Sequence, residues 1–455
     1  MIMSNYKYSL HNYHAIEQAD ILVNGITVLS GENGCGKSTL SRWLYYIVNG
    51  TIKFDLYLFR EYVDDVLGFV NSWGVVSRDI LRVLEGSSTI KRQSQFPFIQ
   101  TAIEQLNHFV DTESFHTELV TRIQDIYVQT LHAFVDQLYI YLNRELISLR
   151  KERILGFLNV RIEETDSPEE IVARFVREYE RLIDERIKSL FNCLENRRIS
   201  ELYKIISNRY KETDYPPVEL QLFEDGVELF DAGHISSLYN LRKAIYVDTP
   251  MAIGTAGSFN IFWRELRNLM YNPLIKDCSR ETKVILRRVK QIIGGEVKLV
   301  EDEFFTDMSN LRYVSDDGTV DIELAKAATG VKTFSYLQQL LQNGYLTNET
   351  LLLIDEPEAH LHPQWIVEYA RLLVLLYKKL GVKIMIASHN PDMVAAIRSI
   401  AEKEEVLLDT HFYIAEKHEL NGGYVYRDLE QEIGDIFHSF NIALDRIHLY
   451  GSGSF

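Results

Sequence analysis

The sequence predicts an α/β fold: a mixed, largely parallel sheet with helices and antiparallel β-hairpins, split by a large helical insertion. Three observations predict it. A glycine-rich stretch, LSGENGCGKSTLSRW at residues 29–43, joins an apolar run to a helical pattern. Near the other end, LLLID, PQWIVEYARLLVLLYKKL and VKIMIASH alternate strand, helix and strand, the signature of a parallel sheet. Between them, residues 55–215 carry apolar residues at helical spacing, with no glycine between Gly86 and Gly156. The predicted organisation is therefore a core formed by residues 1–54 and 216–455, with 55–215 as the insertion.

Taken in order, YKYSLHNYHAIEQADILVNGITVLS alternates apolar and polar residues, and Asn24-Gly25 is a dipeptide that tight hairpin turns favour. A hairpin turning there is expected to deliver the chain into the glycine loop. KSTLSRWLYYIV then places Leu40, Leu44, Ile47 and Val48 on one helix face, with Asn49-Gly50 as its expected end. Within the insertion, Pro97 and Pro168 divide the helices. Ser167-Pro168-Glu169-Glu170 reads as a helix start with a capping serine and a glutamate three residues on.

Strands return after Pro216-Pro217. ELQLFEDGVELF is a hairpin turning at Glu224-Asp225-Gly226, KAIYVDTP a buried strand ending at Asp248, and LRYVSDDGTVDIEL a hairpin turning at Asp317-Gly318. Thr329-Gly330 opens a helix with Phe334, Leu337, Leu340 and Leu341 on its buried face, ended by Asn343-Gly344. HFYIAE and YVYRDL form a last hairpin, and LEQEIGDIFHSFNIALDRI a last helix.

The chain has 455 residues, of which 46% are hydrophobic and 25% charged, the balance of a globular protein. No signal peptide or membrane-length apolar run is evident, so a cytoplasmic location without a membrane partner is expected. Three scattered cysteines provide neither a disulfide framework nor a Cys-x-x-Cys metal site. The net charge of −17 argues against binding nucleic acid over the whole surface. Arg287, Arg288 and Lys290, with Arg144, Arg150, Lys151 and Arg153, are the local exceptions that leave contact with DNA or RNA open.

Gly31-Glu32-Asn33-Gly34-Cys35-Gly36-Lys37-Ser38 fits G-x-x-x-x-G-K-[ST], between the predicted strand and helix that the motif requires. Successive backbone N–H groups converge there on phosphates, together with Asn33, Cys35 and Thr39. Lys37 reaches the β- and γ-phosphates, and the Ser38 hydroxyl holds Mg²⁺. Asp355 ends an apolar strand as a second metal-side ligand, and the adjacent Glu356 can polarise an attacking water. The predicted cofactors are ATP and Mg²⁺. Cys35 at a helix start is either a small tolerated residue or an acidified thiol. His360 and His362, two positions apart on a loop, make a poor metal site.

GENGCGKST, the L-x-N-Y-x-A-I hairpin, DEPEAHLHP at residues 355–363 and SHNPDM at 388–393 resemble the ABC-type ATPases of the SMC, RecF and OLD group. AATGVKTFSYLQ and IYVDTP bring the chain nearer to the PtuA family of Septu-type antiphage ATPases. This resemblance implies that His389 senses the γ-phosphate. It also implies that Thr329 and Gly330, at a helix N-terminus, contact the nucleotide held by a second copy. Val331 and Lys332 depart from the usual signature, which points to slow turnover. The stretch after His389 has no room for the nuclease domain that OLD proteins append, and the insertion lacks a zinc-hook Cys-x-x-Cys.

By this resemblance ATP would join two copies into a dimer unit or higher oligomer that scaffolds or restrains a separate effector, for example an HNH-type nuclease. The alternatives are a RecF- or SMC-like repair ATPase that clamps DNA, and a slowly hydrolysing ATP-bound scaffold.

Overall fold

The structure, a computed structural model, describes residues 4–85, 96–112, 114–143, 148–163, 165–211, 214–248, 260–301, 309–359, 361–419 and 422–437. Arg144, His360, the end of IYVDTP and the last helix beyond residue 437 lie outside the described residues. The chain forms two compact units, Met1–Ile52 with Leu202–Phe455, and Lys53–Glu201.

The first unit begins with β1 (Tyr6–Tyr13), β2 (Ile16–Leu22), β3 (Ile26–Ser30) and α1 (Lys37–Ile52). The second contains α2 (Phe54–Glu85), α3 (Pro97–Val110), α4 (Thr117–Leu142), α5 (Ser148–Gly156) and α6 (Pro168–Asn196). After α7 (Ile199–Tyr210) come β4 (Glu219–Glu224), β5 (Val227–Glu228), β6 (Phe230–Asp231), β7 (His234–Ile235) and β8 (Lys243–Val247). Next are α8 (Ile261–Tyr271), α9 (Arg280–Ile293), β9 (Gly295–Glu301), β10 (Ser309–Ser315), β11 (Asp321–Glu323) and α10 (Thr329–Gln342). The chain continues through β12 (Thr350–Asp355), α11 (Pro363–Leu380), β13 (Lys383–Ser388), α12 (Pro391–Lys403), β14 (Thr410–Lys417) and β15 (Tyr424–Asp428).

A ten-stranded sheet runs β5-β4-β1-β2-β15-β14-β3-β13-β12-β8. Its β14-β3-β13-β12-β8 half is parallel. The middle of this half is buried as in parallel sheets generally, β12 and β13 at every position. Strand β3, which leads into the glycine loop, has β13 on one side and β14 on the other. Loops at the carboxyl ends of strands that diverge in this way form a natural ligand crevice.

The expected hairpin at Asn24-Gly25 is corrected. β2 and β3 are not neighbours, since β15 and β14 lie between them. The turn that does close a hairpin joins β1 to β2, with Asn12 and His14 at φ +50° and +52°. Asn24 lacks the positive φ that a type I′ turn needs. Helix α1 also runs past Asn49-Gly50 to Ile52; a side chain at Gly50 would come within 2.6 Å of Leu202, so packing explains that glycine. The last helix begins later than expected: Glu430 adopts φ +52° and helical structure starts at residue 434.

Other expectations match. β4 and β5 pair around Asp225-Gly226, β10 and β11 around Asp317-Gly318, and β14 with β15. In the helical unit α3 and α6 begin at Pro97 and Pro168. Ser167 accepts from the Glu170 amide while Glu170 accepts from the Ser167 amide, a complete capping box. The core of that unit gathers on Trp73, whose ring lies 4.9 Å from Tyr127 and 5.3 Å from Tyr179.

Candidate functional site

The glycine loop leaves β3 at Ser30 and enters α1 at Lys37. Gly31 and Gly36 sit at φ +151° and +96°, where a side chain is strained. Space forbids one as well: a Cβ would come within 2.8 Å of Ala415 at Gly31 and 2.6 Å of Ile16 at Gly36. The Lys37 ammonium is buried and donates to the carbonyls of Gly31 and Glu32, each at 2.8 Å. Beneath the loop, the Tyr426 hydroxyl donates to the Cys35 carbonyl at 3.1 Å. Cys35 is fully buried, which favours the small-residue reading over an accessible thiol.

The facing wall comes from the ends of β12, β13 and β8. Asp355 is 2% exposed. Burial pushes its carboxyl up, against the lowering influence of Tyr246, Ser38, Ser41 and Arg42. The Tyr246 hydroxyl donates to Asp355 Oδ2 at 2.7 Å, whereas Oδ1 is buried with no hydrogen-bond partner among the described residues. Arg42 Nε donates to Tyr246 at 3.3 Å, and the same guanidinium lies 3.9 Å from Asp248. Glu356 occupies φ +48°, unusual for this residue type, and its amide is anchored on the Ala387 carbonyl at 2.8 Å. That backbone bend turns the chain out of β12. His389 follows β13, with Nδ1 3.5 Å from Glu356 Oε1 and 3.6 Å from Glu358 Oε1.

An open cleft of about 460 Å³ is lined by Asn33, Gly34, Gly36, Lys37, Ser38, Thr39, Arg42 and Glu356, with the rings of Tyr13, His14, Trp43 and Tyr46 at its side. Gly31 and Cys35 belong to the loop without lining the cleft, and Asp355 lies behind Ser38. Thr329 and Gly330 start α10 and do not line the cleft; Gly330 is buried against Trp365. His362 caps α11, its ring nitrogen accepting from the Gln364 amide.

Sequence reasoning missed Tyr246, Arg42, Glu358 and Tyr426 as parts of this site. Tyr246 and Glu358 stand inside the quoted strings IYVDTP and DEPEAHLHP. Arg42 and Tyr426 stand inside LSGENGCGKSTLSRW and YVYRDL, where nothing in the string marks them as site residues.

Among the basic candidates, Arg288 Nη2 donates to both Glu368 carboxylate oxygens at 2.9 and 2.7 Å, and Lys290 lies 3.2 Å from Asp316. These are partnered cations, whereas Arg150 and Arg153 on α5 are exposed.

Residues 195–395 match the family described as "AAA domain, putative AbiEii toxin, Type IV TA system". That stretch contains Thr329, Gly330, Asp355, Glu356 and His389. A segment of 100 residues is 34% identical to a "Putative ABC transporter ATP-binding protein" of Clostridium perfringens strain 13, covering 22% of this chain and 33% of that protein. The chain thus matches about a third of the length of this curated relative. The Smc head domain of Pyrococcus furiosus, solved with the C-terminal domain of ScpA, aligns over 98% of this chain and 100% of its own at 12% identity and TM-score 0.33. The cbiO1 structure from Clostridium perfringens, part of an ABC transporter complex, aligns over 55% of this chain and 82% of its own at 14% identity and TM-score 0.28. The family match covers less than half of the chain and begins well after the glycine loop at residues 31–38. No helix among the described residues is long and apolar enough to cross a membrane.

Proposed function

From the glycine-loop cleft and the match of residues 195–395 to an AAA-domain family, we propose that this chain binds ATP with Mg²⁺, hydrolyses it slowly, and uses the bound nucleotide to join two copies of itself. In this reading the joined copies scaffold or restrain a separate nuclease or other effector in an antiphage system. The single observation that carries the nucleotide part is the convergence of Lys37, Ser38 and Glu356 on one cleft, with Asp355 immediately behind.

The residues suit the cofactor. Asp355 Oδ1 is a buried acceptor with no donor among the described residues, and a carboxylate beside a serine hydroxyl is the oxygen donor set that Mg²⁺ prefers. When bound, the metal neutralises charge on the phosphate oxygens. The loop amides and Lys37 cradle the phosphates at the start of α1, where the helix dipole favours negative charge. Tyr246 holds Asp355 in one orientation. Glu356, on the cleft wall, accepts a proton from the attacking water.

Thr329 and Gly330 stand at a helix N-terminus outside their own chain's cleft, which supports their use by a second copy. The antiphage part rests on the likeness of AATGVKTFSYLQ and IYVDTP to the Septu-type ATPases.

The test is nucleotide affinity and assembly state. Lys37→Ala is expected to abolish ATP binding by calorimetry, and Glu356→Gln to keep binding while accumulating an ATP-dependent dimer in light scattering. Equal affinity in wild type and Lys37→Ala would refute the site. Phage plating on cells carrying the chain with and without its neighbouring genes tests the biological part.

A further inference from the structure

Glu358 is a buried acid that the reading above leaves without a task. It follows Asp355 by three positions, and its side chain is 3% exposed. Burial pushes its carboxyl up, while the Ser388 hydroxyl and the neighbouring His389 pull the other way. Oε1 accepts from Ser388 Oγ at 2.7 Å and from the His389 amide at 3.2 Å, and it faces His389 Nδ1 at 3.6 Å. Glu356 Oε1 stands 3.5 Å from the same nitrogen. Both Glu358 Oε2 and His389 Nδ1 are buried without a hydrogen-bond partner among the described residues. A single ring nitrogen is therefore placed between two carboxylates at nearly equal distance. One is an exposed arm in the cleft; the other is anchored at the end of β13. Among the described residues, these two are the charged groups within ion-pair reach of the ring.

We propose that Glu358 is a positioning residue for hydrolysis, competing with Glu356 for the Nδ1–H of His389. When the N–H bonds to Glu358, whose Oε2 is free to accept it, Glu356 is released to act on water. When it bonds to Glu356, that carboxylate is held back. The proton stays on the ring throughout, so Nδ1 remains the protonated nitrogen and Nε2 the acceptor. Ser388 and the His389 amide fix Glu358, which makes the end of β13 part of the arrangement. The inference rests on the proposed hydrolytic site, but its first readout needs no nucleotide.

The experiment uses the full chain labelled with ¹⁵N-histidine, with the His389 signal assigned by its loss in His389→Gln. Wild type is expected to show a protonated Nδ1 and a bare Nε2. Glu358→Gln, whose amide can donate to the ring, is expected to move the proton toward Nε2. It should lower kcat by about tenfold or more while KM for ATP stays within about twofold. Glu358→Asp keeps an acid, and should keep the tautomer with an intermediate kcat. Wild-type ring shifts in Glu358→Gln, or a kcat within about twofold of wild type, would overturn the proposal. Should Glu358→Gln fail to fold, Glu358→Asp and Ser388→Ala decide by the same two readouts. Loss or retention of ATP binding in Lys37→Ala judges the nucleotide site separately, so the two failures are distinguishable.

Discussion

Replacing Gly330 separates two reasons for a glycine at the second residue of α10. A Cβ there would lie 2.5 and 2.6 Å from Cζ3 and Cε3 of Trp365, and 3.5 Å from Leu361. The Trp365 ring packs edge-on against Phe334 at 5.4 Å, a contact it would give up by moving aside. Overpacking of this kind costs about 1–3 kcal/mol. Alanine returns up to about 1 kcal/mol of helix propensity, which leaves Gly330→Ala destabilised by about 0–3 kcal/mol. Trp365→Leu removes the far edge of the ring. The double variant should therefore be more stable than the two single effects predict, with a coupling of about 1–3 kcal/mol.

Because the chain has two compact units, the assay is the order of calorimetric melting midpoints, not a single unfolding free energy. Additive midpoints would refute the steric reasoning. The double variant also asks the functional question. If packing is the whole reason for Gly330, the variant forms the ATP-dependent dimer; if the residue touches a partner's nucleotide, it is stable yet stays monomeric.

Two further outcomes are expected. Tyr246→Phe leaves Asp355 Oδ2 without its 2.7 Å donor; it should destabilise the protein by about 1–3 kcal/mol and raise the Mg²⁺ concentration needed for half-maximal hydrolysis. A melt and a Mg²⁺ titration check this, and an unchanged titration midpoint would remove Tyr246 from the site. Ser167→Ala breaks the capping box of α6 and should cost about 1 kcal/mol in the helical unit without altering ATP affinity. Altered affinity would contradict that separation.

The parts of the site that could be read from sequence are contiguous strings whose spacing is imposed by local geometry. A loop that must present consecutive amides needs glycines at close intervals, and a strand that must deliver an acid into a buried crevice is apolar up to that acid. GENGCGKS and LLLIDE therefore announce themselves. Tyr246, Arg42 and Tyr426 do not, because each acts through a partner far away in the sequence. Nothing in ordinary alternation distinguishes a tyrosine that holds a catalytic-side carboxylate from one that fills a core.

The misread turn at Asn24-Gly25 has the same origin. Turn chemistry describes four residues, whereas the separation of β2 from β3 is decided by β14 and β15, encoded nearly four hundred positions later. Gly50 shows the converse. Its helix-ending character is overridden by close packing on Leu202.

The neighbours of β3 also bear on how the protein is made. Ile26 pairs with Ile384 on one side and Thr410 on the other, so the strand that carries the glycine loop waits for both until late in synthesis. The helical unit, built from nearby segments, can take shape while the ribosome is still working. The loop has no completed frame until β14 has emerged. A chain terminated before β14 would keep the whole GENGCGKST string but lack the strand that flanks β3, so under the proposed function it would not join an ATP-dependent assembly.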